Sequence, residues 1–335
     1  MKIGSINTTE KVLIIAEIGN NHEGSIEEAK KLIRGAAEAG ANAVKFQTII
    51  PNLLVSSDQT DRLNQLGRYA FSKAQFLELK KEADRLEVIF LSTPFDLDSV
   101  DFLNPIVPAF KIASGDSNFK ALLKKVAETA KPIFVSTGLS SWPEKELLRN
   151  FFHQIWGESG KGFPGLSLLH AVVEYPTEDD RAALGHLREL VKMKGITPGY
   201  SDHTMGIEAA VLAVAMGARI IEKHFTLDKT KTTFRDHAIS ADPSDLKLLV
   251  DRIRHAETLL GQPNLDEAPS SAPGARRSAA AGKDLMAGHK LGAEDLVWLR
   301  PGTGFSPDNE SQLMGRILSR PVRKGILFSK EDFRS

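Results

Sequence analysis

Residues 197–225 read TPGYSDHTMGIEAAVLAVAMGARIIEKHF. Two short apolar runs, 197–202 and 219–225, enclose a stretch of helical character, and a histidine stands at the end of each run, close to a carboxylate. The runs are too short for lone helices and read as buried parallel strands joined by a crossover helix. On that reading His203 and His224 end adjacent strands, about 4.8 Å apart.

The same unit repeats towards the N-terminus. Apolar runs at 12–19, 43–48, 88–93, 109–114, 132–138 and 166–172 alternate with amphipathic segments. In the first of these segments, SIEEAKKLIRGAAEAG, Ser25 reads as the N-cap and Gly40 as the C-terminal stop. Eight strands, each followed by a helix, give an α/β chain of the (β/α)8 TIM barrel type. A doubly wound open sheet is the alternative. Polar residues decide between the two: Glu17, Lys45, Gln47, Thr93, Lys111, Ser114, Ser136, Asp202, His203, Glu222 and His224 all fall at or near run ends. A barrel brings all of these ends to one mouth, whereas an open sheet uses mainly its switch point.

The barrel accounts for residues 1–262. A Pro-, Gly-, Ala- and Ser-rich stretch, 263–277, reads as a linker, and 278–335 as a small β-rich domain too small to be stable without support from another surface. Over 335 residues the formal net charge is zero, which offers no basic field to nucleic acid or an anionic membrane. The chain lacks cysteine, so disulfides and thiolate chemistry are excluded. No secretory or membrane-spanning pattern is present, and a cytoplasmic location is expected.

Several polar residues in these runs suit chemistry. His203 and His224 can share a divalent cation; alternatively each bonds a neighbouring carboxylate. Lys45 and Lys111, set in apolar runs among Gln47, Ser114 and Ser136, suit a phosphate or carboxylate. Internal ion pairs with Glu17 or Asp116, and a Schiff base, are the alternatives. Lys223, one residue out of phase with His224, should face the helix layer. Glu17 reads as a general base or as a lysine partner. His22 reads first as a turn residue. Tyr175 and Asp236 are candidate substrate contacts or ordinary loop residues.

Taken together, AEIGNNHEGS, AVKFQT, FLSTPFD, FKIASGD, VSTGLS, LLH…YPT, GYSDHT, EKHFTLD and RRS…RPGTGFSP resemble the sialic acid synthase (N-acetylneuraminate synthase-like) family along nearly the whole chain. The resemblance implies a barrel followed by an antifreeze-like SAF domain. It implies condensation of phosphoenolpyruvate with an open-chain N-acyl amino sugar, giving a nonulosonic acid and phosphate by C–O cleavage. It places a divalent metal on His203 and His224, Mn2+ first, with Mg2+ or Co2+ as alternatives. Glu17 would handle the attacking water. Lys45, Gln47, Lys111, Ser114, Ser136 and Ser201 would hold phosphoenolpyruvate; Asp116, Tyr175 and Asp236 would contact the sugar. In the domain-swapped homodimer that the family forms, Arg300 would reach the partner's sugar. Three departures bear on the acceptor: Asp116 replaces glutamate, Val173 replaces Asn or Ser, and FRD at 234–236 replaces GPD. They leave N-acetylmannosamine, its 6-phosphate and diacetamido 6-deoxy hexoses open. Two rival functions also follow from the residues: a lysine Schiff-base aldolase, and a non-catalytic sugar-binding or polysaccharide-assembly protein on a synthase scaffold.

Overall fold

The computed structural model describes residues 1–160, 162–231, 234–261 and 270–334. The chain forms two compact units, Met1–Gly261 and Gln262–Ser335.

The first unit alternates strands with helices. The strands are β1 (Leu13–Gly19), β2 (Ala43–Thr48), β3 (Ile89–Pro94), β4 (Phe110–Ile112), β5 (Ile133–Ser136), β6 (Leu166–Ala171), β7 (Thr197–Asp202) and β8 (Ile220–His224). The returning helices are α1 (Ile26–Glu38), α2 (Lys73–Arg85), α3 (Leu97–Leu103), α4 (Lys120–Glu128), α5 (Trp142–Ser159), α6 (His186–Lys192), α7 (Glu208–Ala215) and α8 (Pro243–Leu260). Hydrogen bonding runs in the order β3-β2-β1-β8-β7-β6-β5-β4, every pair parallel, and the two end strands β3 and β4 adjoin. The sheet is thus a nearly closed eight-stranded barrel, and the open-sheet alternative is discarded. Ser25 caps α1 by accepting the Glu28 N–H, and Asp242 caps α8 in the same way; each cap satisfies a backbone donor the helix leaves orphaned.

Alternation along the strands produces two cores. Outward residues such as Ile14, Ala16, Ile18, Val44 and Phe46 pack beneath the helices. Inward residues at the strand starts, including Leu13, Ile15, Ala43, Leu91, Phe134, Leu169 and Ile220, fill the lower barrel. Ile3 joins this inner cluster from a short N-terminal hairpin, Lys2–Ile3 with Ile6–Asn7. The hairpin strands are two residues each, too short to show a strand period in the sequence. Further along four of the barrel strands the inward face turns polar: Ile15 gives way to Glu17, Ala43 to Lys45, Phe134 to Ser136 and Ile220 to Glu222.

The second unit pairs β9 (Ser278–Ala281) with antiparallel β10 (Leu296–Leu299) and adds single bridges such as Leu285 with Val322. Its core gathers Leu285, Leu291, Leu313, Leu318, Phe328 and Phe333. Of the expected linker, 263–269 lies outside the described residues, and Ala272–Ala275 is a short helix. Among the described residues no helix is long and apolar enough to cross a membrane.

Candidate active site

The polar strand ends converge on one cleft at the C-terminal mouth of the barrel. Sheet register sets its floor: His224 stands beside Glu17, Glu17 beside Lys45, and Glu222 beside Ser201. Lys45 Nζ lies 2.8 Å from Glu17 and 3.7 Å from Glu222, and Lys111 Nζ lies 3.0 Å from Glu222. Ser201 Oγ donates to the same Glu222 oxygen at 3.0 Å. Gln47 donates to Glu17 at 3.1 Å, and Asn20 donates to Gln47. All four charges are buried, and only such pairing makes burying them tolerable.

Environment separates the two carboxylates. Burial raises the Glu17 pKa; Lys45 opposes the rise and Glu222 adds to it. Burial also works against ionised Glu222, but Lys111 and then Lys45 outweigh it and hold that carboxyl at about 2. The two carboxylates are thus pushed in opposite directions, Glu222 towards the ionised form and Glu17 towards the neutral one. Burial lowers Lys111, with Lys45 adding to the effect, while Glu17 and Glu222 overcome burial and raise Lys45.

Opposite the lysines lie His203 and His224, their ring centroids 5.5 Å apart. His203 Nδ1 is 2.6 Å from the Val172 carbonyl, which can only accept, so Nδ1 carries the hydrogen and Nε2 keeps its lone pair. His224 Nδ1 is buried and makes no hydrogen bond, a state that calls for a partner. Burial lowers both pKa values, His224 further because His203 stands beside it. Two neutral imidazoles this close are suited to a shared divalent ion. Among the described residues no group of three or more His, Cys, Asp or Glu is arranged to hold a metal.

Gln47, Ser114, Ser136, Ser201, Tyr175 and Asp236 line the same cleft, as do Lys45, Lys111 and Val173. Tyr175 lies 4.2 Å, ring to ring, from His203. Asp116 and Arg300 are not on its lining. Asp116 sits half-buried in the turn Ser114–Asp116, its pKa pushed by burial to about 6. Arg300 is exposed in the second unit. Lys223 faces the helix layer and donates to Asp202 at 2.8 Å. His22 is a turn residue: its Nδ1 accepts the Gly24 N–H, and its ring stacks on Phe71. A wider groove of about 430 Å³ between α4 and α5 carries Lys120 and Glu144 but no histidine.

Glu222, placed at the barrel mouth by the sequence but given no role there, is a functional candidate in the structure. It stands two residues before His224 on one strand, so the two share a face, and that parity was the available signal. Arg62, Thr93, Phe95 and Phe234 also line the cleft. Arg62 comes from a further helix, Thr60–Tyr69, inserted between β2 and α2, and Phe234 from the loop that leads into the short helix Arg235–Ile239.

A family model described as the NeuB family matches residues 32–264, and a SAF domain model matches 276–334. The chain belongs to the NeuB family. This NeuB-family chain is 38% identical to the N,N'-diacetyllegionaminic acid synthase of Legionella pneumophila, over 93% of its own length and 92% of the relative's. It is 35% identical to the pseudaminic acid synthase of Campylobacter jejuni over the full length of both chains. Among solved structures, the N-acetylneuraminic acid synthetase of Leptospira borgpetersenii superposes with a TM-score of 0.74 at 35% identity, over 81% of this chain and 93% of that one. The sialic acid synthase-like architecture, a barrel followed by a SAF domain, is thereby established.

Proposed function

We propose that this enzyme condenses phosphoenolpyruvate with the open-chain aldehyde of an N-acyl amino sugar, yielding a nonulosonic acid and phosphate. The observation that carries the reading is the juxtaposition of a paired-charge floor with two neutral imidazoles in one cleft. Lys45 and Lys111 offset Glu17 and Glu222, so the floor is close to neutral. A substrate bearing both a phosphate and a carboxylate then needs further positive charge, which a divalent ion held by His203 and His224 would supply. With only two protein ligands, the ion would complete its shell from water or substrate. Once bound, it would act as a Lewis acid towards the aldehyde oxygen. We take Mn2+ as the first candidate, with Mg2+ and Co2+ as alternatives.

The chain's own residues do the rest. Lys45, Lys111, Ser114, Ser136 and Ser201 hold the anionic groups, placing C3 of the enol against the aldehyde carbon. The C–C bond forms, and water adds at C2. Glu17, poised by burial, takes the proton from that water. The tetrahedral centre then breaks its C–O bond and releases phosphate, its C2 hydroxyl losing a proton to become the ketone, while the former aldehyde oxygen takes up a proton to become the new hydroxyl. Tyr175 and Asp236 contact the sugar. Arg300 acts from a partner copy in a homodimer, and Asp116 contributes to the acceptor side from its turn. The relatives' names favour a diacetamido 6-deoxy hexose as acceptor.

The lowered pKa of Lys111 favours one rival, a Schiff-base aldolase. A screen of aldoses with phosphoenolpyruvate and Mn2+ decides between them. Phosphate release that chelation abolishes, with bridging-oxygen label found in the phosphate, supports the synthase. Borohydride trapping of a lysine adduct without metal supports the aldolase. In the synthase case His203→Ala and His224→Ala should each abolish turnover and weaken Mn2+ binding measured by calorimetry.

A further inference from the structure

We propose that Glu23 and His237 form a latch that positions Asp236 on the acceptor side of the cleft; this rests on the functional reading above. Glu23 lies in the turn after β1 with φ 48°, a left-handed conformation that favours glycine. An L-residue kept there points to a task for its side chain. Its carboxylate reaches the segment that follows the neighbouring strand β8, where Glu23 Oε1 lies 3.1 Å from His237 Nε2.

His237 is fully buried. Its other ring nitrogen, Nδ1, is 2.7 Å from Thr226 Oγ1, just past the end of β8. The ring is therefore tied on one side to the β1 turn and on the other to the β8 strand end. A second strut runs parallel: Asn21 Nδ2 donates to Phe225 O at 2.8 Å and to Ser240 Oγ at 3.0 Å, and Ser240 Oγ donates to Asp236 O. Between these anchors stands the short helix Arg235–Ile239, which carries Asp236 into the cleft lining. The floor formed by Lys45, Lys111 and Glu222 makes none of these contacts. Loss of the latch should therefore disturb the sugar side and spare phosphoenolpyruvate.

The deciding variant is Glu23→Gly, which removes the carboxylate and relieves the backbone at once. The latch predicts an unchanged or higher Tm, an acceptor KM raised about tenfold, a phosphoenolpyruvate KM within about twofold of wild type, and faster amide exchange over 237–241. His237→Ala should give the same shifts in KM and amide exchange, with a lower Tm because it empties a fully buried site, and the double variant should raise the acceptor KM no more than either single one. Glu23→Gln keeps an acceptor oxygen for the ring and should restore the wild-type KM. Unchanged KM and exchange in Glu23→Gly, an equal rise in both KM values, or additive effects in the double variant would overturn the latch. Amide exchange is measured on the protein alone, so it tests the latch even if no acceptor releases phosphate and the functional reading itself fails.

Discussion

Lys111 illustrates how single residues carry both stability and chemistry here. Its ammonium is buried 3.0 Å from Glu222, whose other cation, Lys45, is farther off at 3.7 Å. Lys111→Met keeps the volume but leaves Glu222 short of charge. Breaking a buried pair from one side costs roughly 3–5 kcal/mol, so we expect a loss of that order in urea unfolding, along with loss of phosphoenolpyruvate binding. A change under about 1 kcal/mol would mean that Lys45 alone suffices for Glu222. Glu17, Lys45, Lys111 and the two histidines were legible as candidates because each interrupts or ends an apolar run. Which carboxylate meets which lysine was not legible. Lys111 and Glu222 are partners across the barrel, and no local period encodes that. Asp116, close in sequence to Lys111, was the natural guess for its partner, and its turn keeps it away from the pair.

At the scale of elements, strand alternation does two jobs with one pattern. The inward positions of β1, β2, β5 and β8 are apolar at the strand starts and polar at the ends, so each of these strands contributes to the buried plug and to the cleft. The N-terminal hairpin completes the plug from below through Ile3, which is fully buried. Ile3→Ala should cost roughly 2–4 kcal/mol, read as a lower urea midpoint, while kcat stays unchanged because the cleft lies at the opposite end of the barrel. A fall in kcat with intact stability would show coupling between the two ends. The long helices were readable from their caps and periodicity. The short helix Arg235–Ile239 was not: it is too brief to show a period, and tertiary hydrogen bonds hold it in place.

For the whole molecule, two expectations follow. Removing residues 278–335 should raise the acceptor KM at least about tenfold, roughly 1.4 kcal/mol, with phosphoenolpyruvate binding nearly intact; unchanged acceptor kinetics would exclude a role for Arg300. Acid should destabilise the fold ahead of carboxylate titration. Burial lowers His22 to about 3 and His170 to about 4. Between those values and 6.5 the unfolded chain binds more protons, so stability falls as pH falls, by roughly 2 kcal/mol for each histidine between pH 7 and pH 5. Glu17 and Asp116, both raised by burial, offset part of this loss. Urea midpoints at the two pH values check the sign. From its sequence alone this chain determined the order of its eight barrel strands and the helices that alternate with them, the barrel, and the histidine pair at adjacent strand ends, because apolar periodicity and strand parity are local. Only the tertiary structure decided the Glu17–Lys45 and Lys111–Glu222 pairing, the hairpin plug and the Glu23–His237 contact, because each joins residues that become neighbours only when the sheet curls and its register brings distant strands together.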